Sequence, residues 1–472
     1  MKRDFGHNHF RDKELDWLIL KYEQMLKRNL TYYFDVEDFE RIVEYYMDME
    51  HNRKALKALQ YAFKLHPGAI HLMVKKAQIH LKNKNPLSAL NSLHKLEHLE
   101  STNTDIYLTK GHAHLLLGNL VESRVYYDKA LSITTDDDEL LDLLQNVSQT
   151  LLFNDYYQPA IHYLLQAYEL DHENLMTLYD LAHCYDRAGD LKMSIVYYNN
   201  YLDVEPYSEH IWFSLGNLYS KTGDYNKAIE SYEMAVAINP EYLDALYDLA
   251  VLLEDHNQYN KALRYYQEYI NYDPNAAEVY LFIGNCFQKT GELDLALENY
   301  RKSLHIESEN PETFYAISNI LFKKEHYWDA LFYAKRSTYL DESEPRYHVL
   351  YGKINSSLKV HKDAAKAFLA AVELKPEMLY YWILLSDELI SESKYERAIK
   401  FLQDSTKIHG NNGAILFRLA ALYFKSNNMR FALRYFKKAM LIDSRKHKEF
   451  FKICPEAKRS NEIQKVIKNI MI

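Results

Sequence analysis

Glycine and proline are scarce in this chain: 12 Gly and 10 Pro in 472 residues. So little punctuation argues against a loop-rich or β-rich protein and favours long helical stretches. Cysteine is scarcer still. Cys184, Cys286 and Cys454 are odd in number and far apart, so no disulfide framework is expected and a reducing compartment fits. No apolar run approaches the roughly 20 residues that a membrane-spanning helix requires. The opening "MKRDFGHNHFRDKELDW" has no apolar segment of signal-peptide length. These absences predict a cytoplasmic chain without membrane insertion.

Net charge is −9, which does not advertise nucleic-acid binding. The charge is uneven. From Arg430 to Ile472 there are 12 Lys+Arg against 4 Asp+Glu, a net of +8, which leaves −17 on the other 429 residues. The basic end reads as a solvated terminal face or, more sharply, as a docking patch for an acidic partner.

What the chain has in abundance is self-similarity. Steps of 34 residues from Gly216 reach Ala250, Gly284, Ser318, Gly352, Ser386 and Ala420. Backward they reach Ala182 and Ser148. A three-residue insertion near Asp136–Asp138 resets the count, and Gly111, Ala77 and Val43 follow. Eleven of these twelve slots are small, which chance does not plausibly give. A second ladder is small throughout: Ala55, Ala89, Ser123, Ala160, Ser194, Ala228, Ala262, Ala296, Ala330, Ala364, Ala398 and Ala432.

Between the slots the apolar spacing is helical. Trp212, Leu215, Gly216 and Tyr219 share one face, and Ala228, Tyr232 and Ala235 share a second. Gly223 stands where the first helix stops, as do Gly118, Gly189 and Gly291. Pro67, Pro206, Pro240, Pro274 and Pro376 stand where the second helix stops. Small residues at fixed intervals let paired helices approach to about 8 Å.

The unit with Trp212, Leu215, Gly216, Tyr219, Ala228, Tyr232, Ala235 and Pro240 resembles the tetratricopeptide repeat. The resemblance implies an all-α, right-handed α-solenoid of about twelve 34-residue helix–turn–helix repeats with helical caps. The expected plan is a helical cap over 1–35, repeats 1–3 over 36–137, the insertion at 138–140, repeats 4–12 over 141–446, and basic capping helices over 447–472. Residues 12–30 read as one amphipathic helix, with Trp17, Leu18, Tyr22, Met25 and Leu26 covering the first repeat. Phe450 and Cys454 start a thirteenth unit that Pro455 interrupts.

No phosphate-binding loop, dinucleotide fingerprint or zinc-protease motif occurs. His94 and His98 are four apart beside Glu97, a spacing that suits one helix face and, less readily, a metal. His112 and His114 would diverge on a helix; His7 and His9 lie near the start. Cys184 and Cys286 fill the same slot three units apart and read as buried thiols. The pairs Tyr197–Tyr198 and Tyr265–Tyr266 read as core filler. No enzyme activity, metal or cofactor is expected.

In proteins of this resemblance the first helices line a concave surface that grips a peptide or helix of a partner. One stripe of each first helix faces away from the core. Its apolar slot holds Tyr179, Phe213, Tyr247, Leu281, Tyr315, Val349, Ile383 and Phe417. The slot four residues on holds His183, Asn217, Asn285 and Asn319. An Asn amide donates and accepts, so it can clasp a peptide backbone of any sequence. The expected partner-binding residues are Tyr179, His183, Phe213, Asn217, Tyr247, Leu281, Asn285, Tyr315 and Asn319. Acidic groups share the stripe at Glu37, Glu40, Glu44 and Asp48, and again at Asp244, Glu254 and Asp255. Some family members clamp the carboxylate end of chaperone tails with a Lys on a first helix. Phe213, Leu281 and Tyr315 stand at that position here, so weak or no binding to such tails is expected. Self-association through the end repeats is the alternative function.

Overall fold

A computed structural model describes residues 13–28 and 30–471. It is helical throughout, with no strand among the described residues. The order begins with α1 (Lys13–Arg28). Pairs follow: α2 (Val36–Asp48) with α3 (Asn52–Leu65), α4 (Ile70–Lys82) with α5 (Pro86–His94), α6 (Thr104–Leu116) with α7 (Leu120–Ile133), and α8 (Asp137–Phe153) with α9 (Tyr157–Leu170). Next come α10 (Leu175–Ala188) with α11 (Leu191–Val204), α12 (Glu209–Thr222) with α13 (Tyr225–Ile238), α14 (Leu243–Asp255) with α15 (Tyr259–Tyr272), and α16 (Ala277–Thr290) with α17 (Leu293–Ile306). The last pairs are α18 (Pro311–Lys323) with α19 (Tyr327–Leu340), α20 (Pro345–Ser357) with α21 (His361–Leu374), α22 (Leu379–Ser391) with α23 (Tyr395–His409), and α24 (Gly413–Lys425) with α25 (Met429–Ile442). α26 (His447–Ile453), a 3₁₀ turn at Pro455–Arg459 and α27 (Asn461–Met471) close the chain.

The turn inside each pair carries one residue with positive φ. These residues are Glu50, Lys84, Gly118, Asp155, Gly189, Gly223, Asn257, Gly291, Glu325, Lys359, Ser393 and Asn427. They keep the 34-residue step, widened once between Gly118 and Asp155. Only four are glycine. The left-handed residue belongs to the geometry of the tight turn, and eight side chains endure it because packing on both sides fixes that geometry. Asn or Asp caps many first helices. Asp35 Oδ1 accepts from the Asp38 amide at 2.7 Å, and Asn174 and Asn310 accept in the same way from Thr177 and Thr313.

Both small ladders are buried, and they touch each other. Ser123 Oγ donates to the Gly111 carbonyl at 2.9 Å, and Ser318 Oγ to the Ala330 carbonyl at 2.8 Å. The first ladder also seats a ring from the second helix. A Cβ on Gly111 would lie 2.4 Å from the Tyr127 ring, one on Gly284 2.4 Å from Tyr300, and one on Gly352 2.6 Å from Phe368. Each ring comes 16 residues after its small residue. So the slot is small in order to bring backbones together and to leave room for an aromatic lid.

The chain forms two compact units, one up to Ser231 and one from Tyr232. In the first, α1 lays Leu18, Tyr22 and Met25 onto α2 and α3. Tyr22 is edge-on to Phe34, Phe39 and Tyr46 at 6.0–6.5 Å. Trp17 departs from expectation. It is 58% exposed, with the Lys21 ammonium 5.0 Å from its ring, because its position turns away from α2. The three inserted residues add no loop: Asp136 caps α8, which is 17 residues long where other first helices have 13 or 14. In the second unit, Phe450 is fully buried with its ring 4.7 Å from Phe436, and Cys454 Sγ donates to the Ala421 carbonyl at 3.2 Å. Pro455 then ends α26, and Ile463 of α27 is buried in the same core.

Candidate functional site

The histidines and cysteines singled out in the sequence are spread through the fold. α5 stops at His94, so His94 and His98 do not share a helix; their rings meet edge-on at 5.8 Å. Glu97 is taken up by Lys110 and Lys129. No cluster of three metal-ligating side chains occurs among the described residues. All three thiols are free and buried, and burial pushes each up to about 12. His7 and His9 lie outside the described residues.

The outward stripe of the first helices is the remaining candidate. In the first unit its α8 part is formed by Asp142, Gln145, Asn146, Gln149 and Phe153. With Met176 of α10 they line an open depression of about 580 Å³. Phe153 is 90% exposed at the helix end. Gln145 donates to Asn174 Oδ1 at 3.0 Å, and Gln149 donates to Asp180. Asp180 is buried, which pushes its carboxyl up to about 6, with the Gln149 amide pulling the other way. On α10, half-buried Tyr179 lies parallel to His183, with ring centroids 6.3 Å apart, and meets Tyr198 of α11 edge-on at 6.1 Å. Phe213 and Asn217 are half-buried on α12.

Sequence reading missed the α8 part of this stripe, although the signal is there. Gln145 stands 68 residues before Phe213, in the same slot, and Gln149 in the slot of Asn217. A search for apolar residues ends at Tyr179, one repeat too early. A larger cavity of about 720 Å³ lies between α7 and α9, lined in part by Tyr127 and Tyr163, and holds none of the expected partner-binding residues.

In the second unit the same slots are used more for packing. Half-buried Tyr247 meets Tyr269 at 6.2 Å and Phe282 at 6.0 Å, and Tyr315 meets Tyr347 at 5.3 Å with the Arg346 guanidinium 5.5 Å from its ring. Leu281, Val349 and Phe417 are buried and serve the core. Asn285 accepts from the Tyr300 hydroxyl at 2.8 Å, so part of its amide is committed, while Asn319 is half-buried on α18. The acidic stripes are also partly spent. Glu44 pairs with Lys75 at 2.6 Å, and burial holds the Glu40 carboxyl above its ordinary range. Glu254 turns inward to accept from Tyr266 at 3.0 Å.

Residues 104–137, 211–242 and 247–311 match the tetratricopeptide repeat family. The chain is a tetratricopeptide repeat protein. Repeats of this family generally act as protein-interaction modules. No curated protein matches the chain by sequence. Among solved structures, it is similar to the C-terminal part of a TPR repeat-containing protein from Cytophaga hutchinsonii, at 17% identity and TM-score 0.45 over 51% of this chain and 99% of that one. It is similar to YrrB, a TPR protein with an unusual peptide-binding site, at 21% identity and TM-score 0.32 over 49% and 100%. It is also similar to the APC/C hetero-tetramer Cut9–Hcn1, at 14% identity and TM-score 0.35 over 98% and 94%. No helix among the described residues is long and apolar enough to cross a membrane.

Proposed function

We propose that this tetratricopeptide repeat protein is a non-enzymatic cytoplasmic scaffold that holds an extended peptide or helix of a partner protein along its first-helix stripe. The observation that carries the reading is the α8 depression. Asn146 offers donor and acceptor to a peptide backbone, the Gln145 and Gln149 carbonyl oxygens offer acceptors while their amide nitrogens hold α10, Phe153 offers exposed apolar area, and Asp142 offers a charge. Tyr179 and His183 on α10, then Phe213 and Asn217 on α12, continue the stripe in the first unit. Tyr247, Asn285, Tyr315 and Asn319 form the corresponding stripe of the second. Buried free thiols suit a reducing compartment.

The test is cross-linking in the native cell, with wild type against Asp142→Ala/Asn146→Ala/Phe153→Ala, all three at the rim of the depression. Loss of the captured partner at unchanged melting temperature supports the reading; unchanged capture removes it. The second reading is an assembly subunit that self-associates through its end repeats. Trp17, Leu20 and Tyr33, at 58, 54 and 71% exposure on the first cap, favour it. Light scattering that returns a strict monomer at every concentration removes it.

A further inference from the structure

On five of the second helices an exposed cation pairs with an acid three or four residues away on the same helix. Arg124 pairs with Asp128 on α7 at 3.6 Å, Arg264 with Glu268 on α15 at 3.0 Å, and Lys302 with Glu298 on α17 at 2.8 Å. Lys366 pairs with Asp363 on α21 at 3.6 Å, and Lys407 with Asp404 on α23 at 2.7 Å. Two second helices, α3 and α25, carry cations and no acid: in α3, NRKALKALQYAFKL, Lys54 finds Glu23 of α1 at 3.1 Å, and the sequence of α25 is MRFALRYFKKAMLI. Arg430, Arg434, Lys437 and Lys438 are exposed at steps of four, three and one, so they form a single stripe of like charge. Lys438 donates to Asn411 Oδ1 at 2.6 Å. Arg430, Arg434 and Lys437 have no carboxylate partner among the described residues. Leu441 at 68% and Phe431 at 38% exposure flank the stripe at its two ends.

Like charges at one-turn spacing repel, and exposed apolar side chains gain nothing from water. Both features are relieved by one kind of occupant. We propose that the outer face of α25 docks a short acidic, amphipathic segment of a partner protein. Its carboxylates meet the Arg and Lys stripe, and its apolar residues cover Leu441 and Phe431. Charge also selects for a short segment. Outside 430–472 the chain carries −17, which opposes a long polyanion such as nucleic acid or an anionic membrane reaching across the molecule. A segment that touches only the stripe escapes most of that repulsion within about one Debye length, ~10 Å at 0.1 M salt.

The probe is a fluorescein-labelled amphipathic helix of Glu and Leu, titrated with the full chain and followed by anisotropy. A single-stranded oligonucleotide and phosphatidylserine vesicles are run beside it. The expected result is saturable binding of the Glu/Leu helix that weakens at least about tenfold from ~50 to ~300 mM salt. Arg430→Glu/Arg434→Glu/Lys437→Glu should weaken it at least about tenfold further, at an unchanged melting temperature. The milder Arg434→Gln/Lys437→Gln gives a second reading should charge reversal unsettle the fold. No binding of the helix at low salt, tighter binding of the oligonucleotide or vesicles, or indifference of both variants overturns the proposal.

Discussion

The seam inside each helix pair and the outward stripe of its first helix share one 34-residue period, yet they obey different rules. At the seam every slot but Val43 is Gly, Ala or Ser, and every slot is buried. On the stripe the same slot runs from Gln145 through Tyr179 and Phe213 to buried Phe417. A seam position has a ring or a backbone pressed against it, so only its size matters. A stripe position is half open in some repeats and closed over in others, so its chemistry is left to vary from repeat to repeat. Constancy thus marks what the solenoid requires, and variation marks where a particular partner can be specified.

Gly284→Leu is the hardest test of that contrast. The new Cβ would start 2.4 Å from the Tyr300 ring, whose hydroxyl is held by Asn285 and Gln288 at 2.8 and 3.2 Å. The ring cannot swing away without giving up those bonds. A loss near the top of the usual overpacking range, about 3 kcal/mol, is expected in urea unfolding followed by circular dichroism. Asn319→Leu, on the outward stripe of the next first helix, should change stability by less than about 0.5 kcal/mol. Similar losses at both positions would end the distinction between seam and stripe.

Asp180 sits where the two regions meet and gives the next largest effect. Burial raises its carboxyl from 3.8 to about 6 in the fold. The folded chain therefore binds the proton more tightly than the unfolded chain. The stabilisation that comes with protonation is complete below about pH 4 and is lost as pH rises through about 6. At neutral pH the charged, buried carboxylate weakens the fold. Asp180→Asn keeps a hydrogen-bonding partner for Gln149 and removes the charge. It should stabilise by about 1–2 kcal/mol at pH 7, a gain that shrinks to nothing below about pH 4. A gain that is the same at both pH values would mean that burial of the charge is not its source.

The turns sharpen the same point at smaller magnitude. Gly291 has φ 94° with open space around its Cα, so Gly291→Ala meets no clash and pays only the backbone penalty, about 1 kcal/mol. Glu325 occupies the equivalent position at φ 63°. Glu325→Gly relieves that strain and should stabilise by about 0.5 kcal/mol after the added freedom of the unfolded chain is counted. Thermal melting of the two variants should move in opposite directions.

The repeat, its two ladders and the stop positions at Gly223 and Pro240 were all legible, because each depends on residue size or backbone freedom and recurs every 34 residues. The eight non-glycine left-handed turns were not: Glu50 or Lys359 carries no local signal, and only the packing of the finished pair forces the conformation. Trp17 was misplaced because amphipathic spacing gives a face but not its edges. Val349 and Phe417 were read with the open ladder, yet they are buried, since the same slot can be closed over by neighbouring helices. The α8 carboxamides were overlooked because a search for apolar residues discards Gln145 and Gln149.

The smallest expected change in stability is also the most informative about function. Phe153 is 90% exposed, so Phe153→Ala removes almost no buried area and should leave the urea midpoint within about 0.3 kcal/mol of wild type. Tyr127→Ala, in the seam, takes away a ring that is 1% exposed and packed on Gly111, and should lose about 3–5 kcal/mol. If the stripe is a partner surface, the order reverses in a binding assay: Phe153→Ala loses partner capture with its fold intact. A Phe153→Ala variant that melts and binds like wild type would leave the exposed ring without a role and would move the search for the partner surface away from α8.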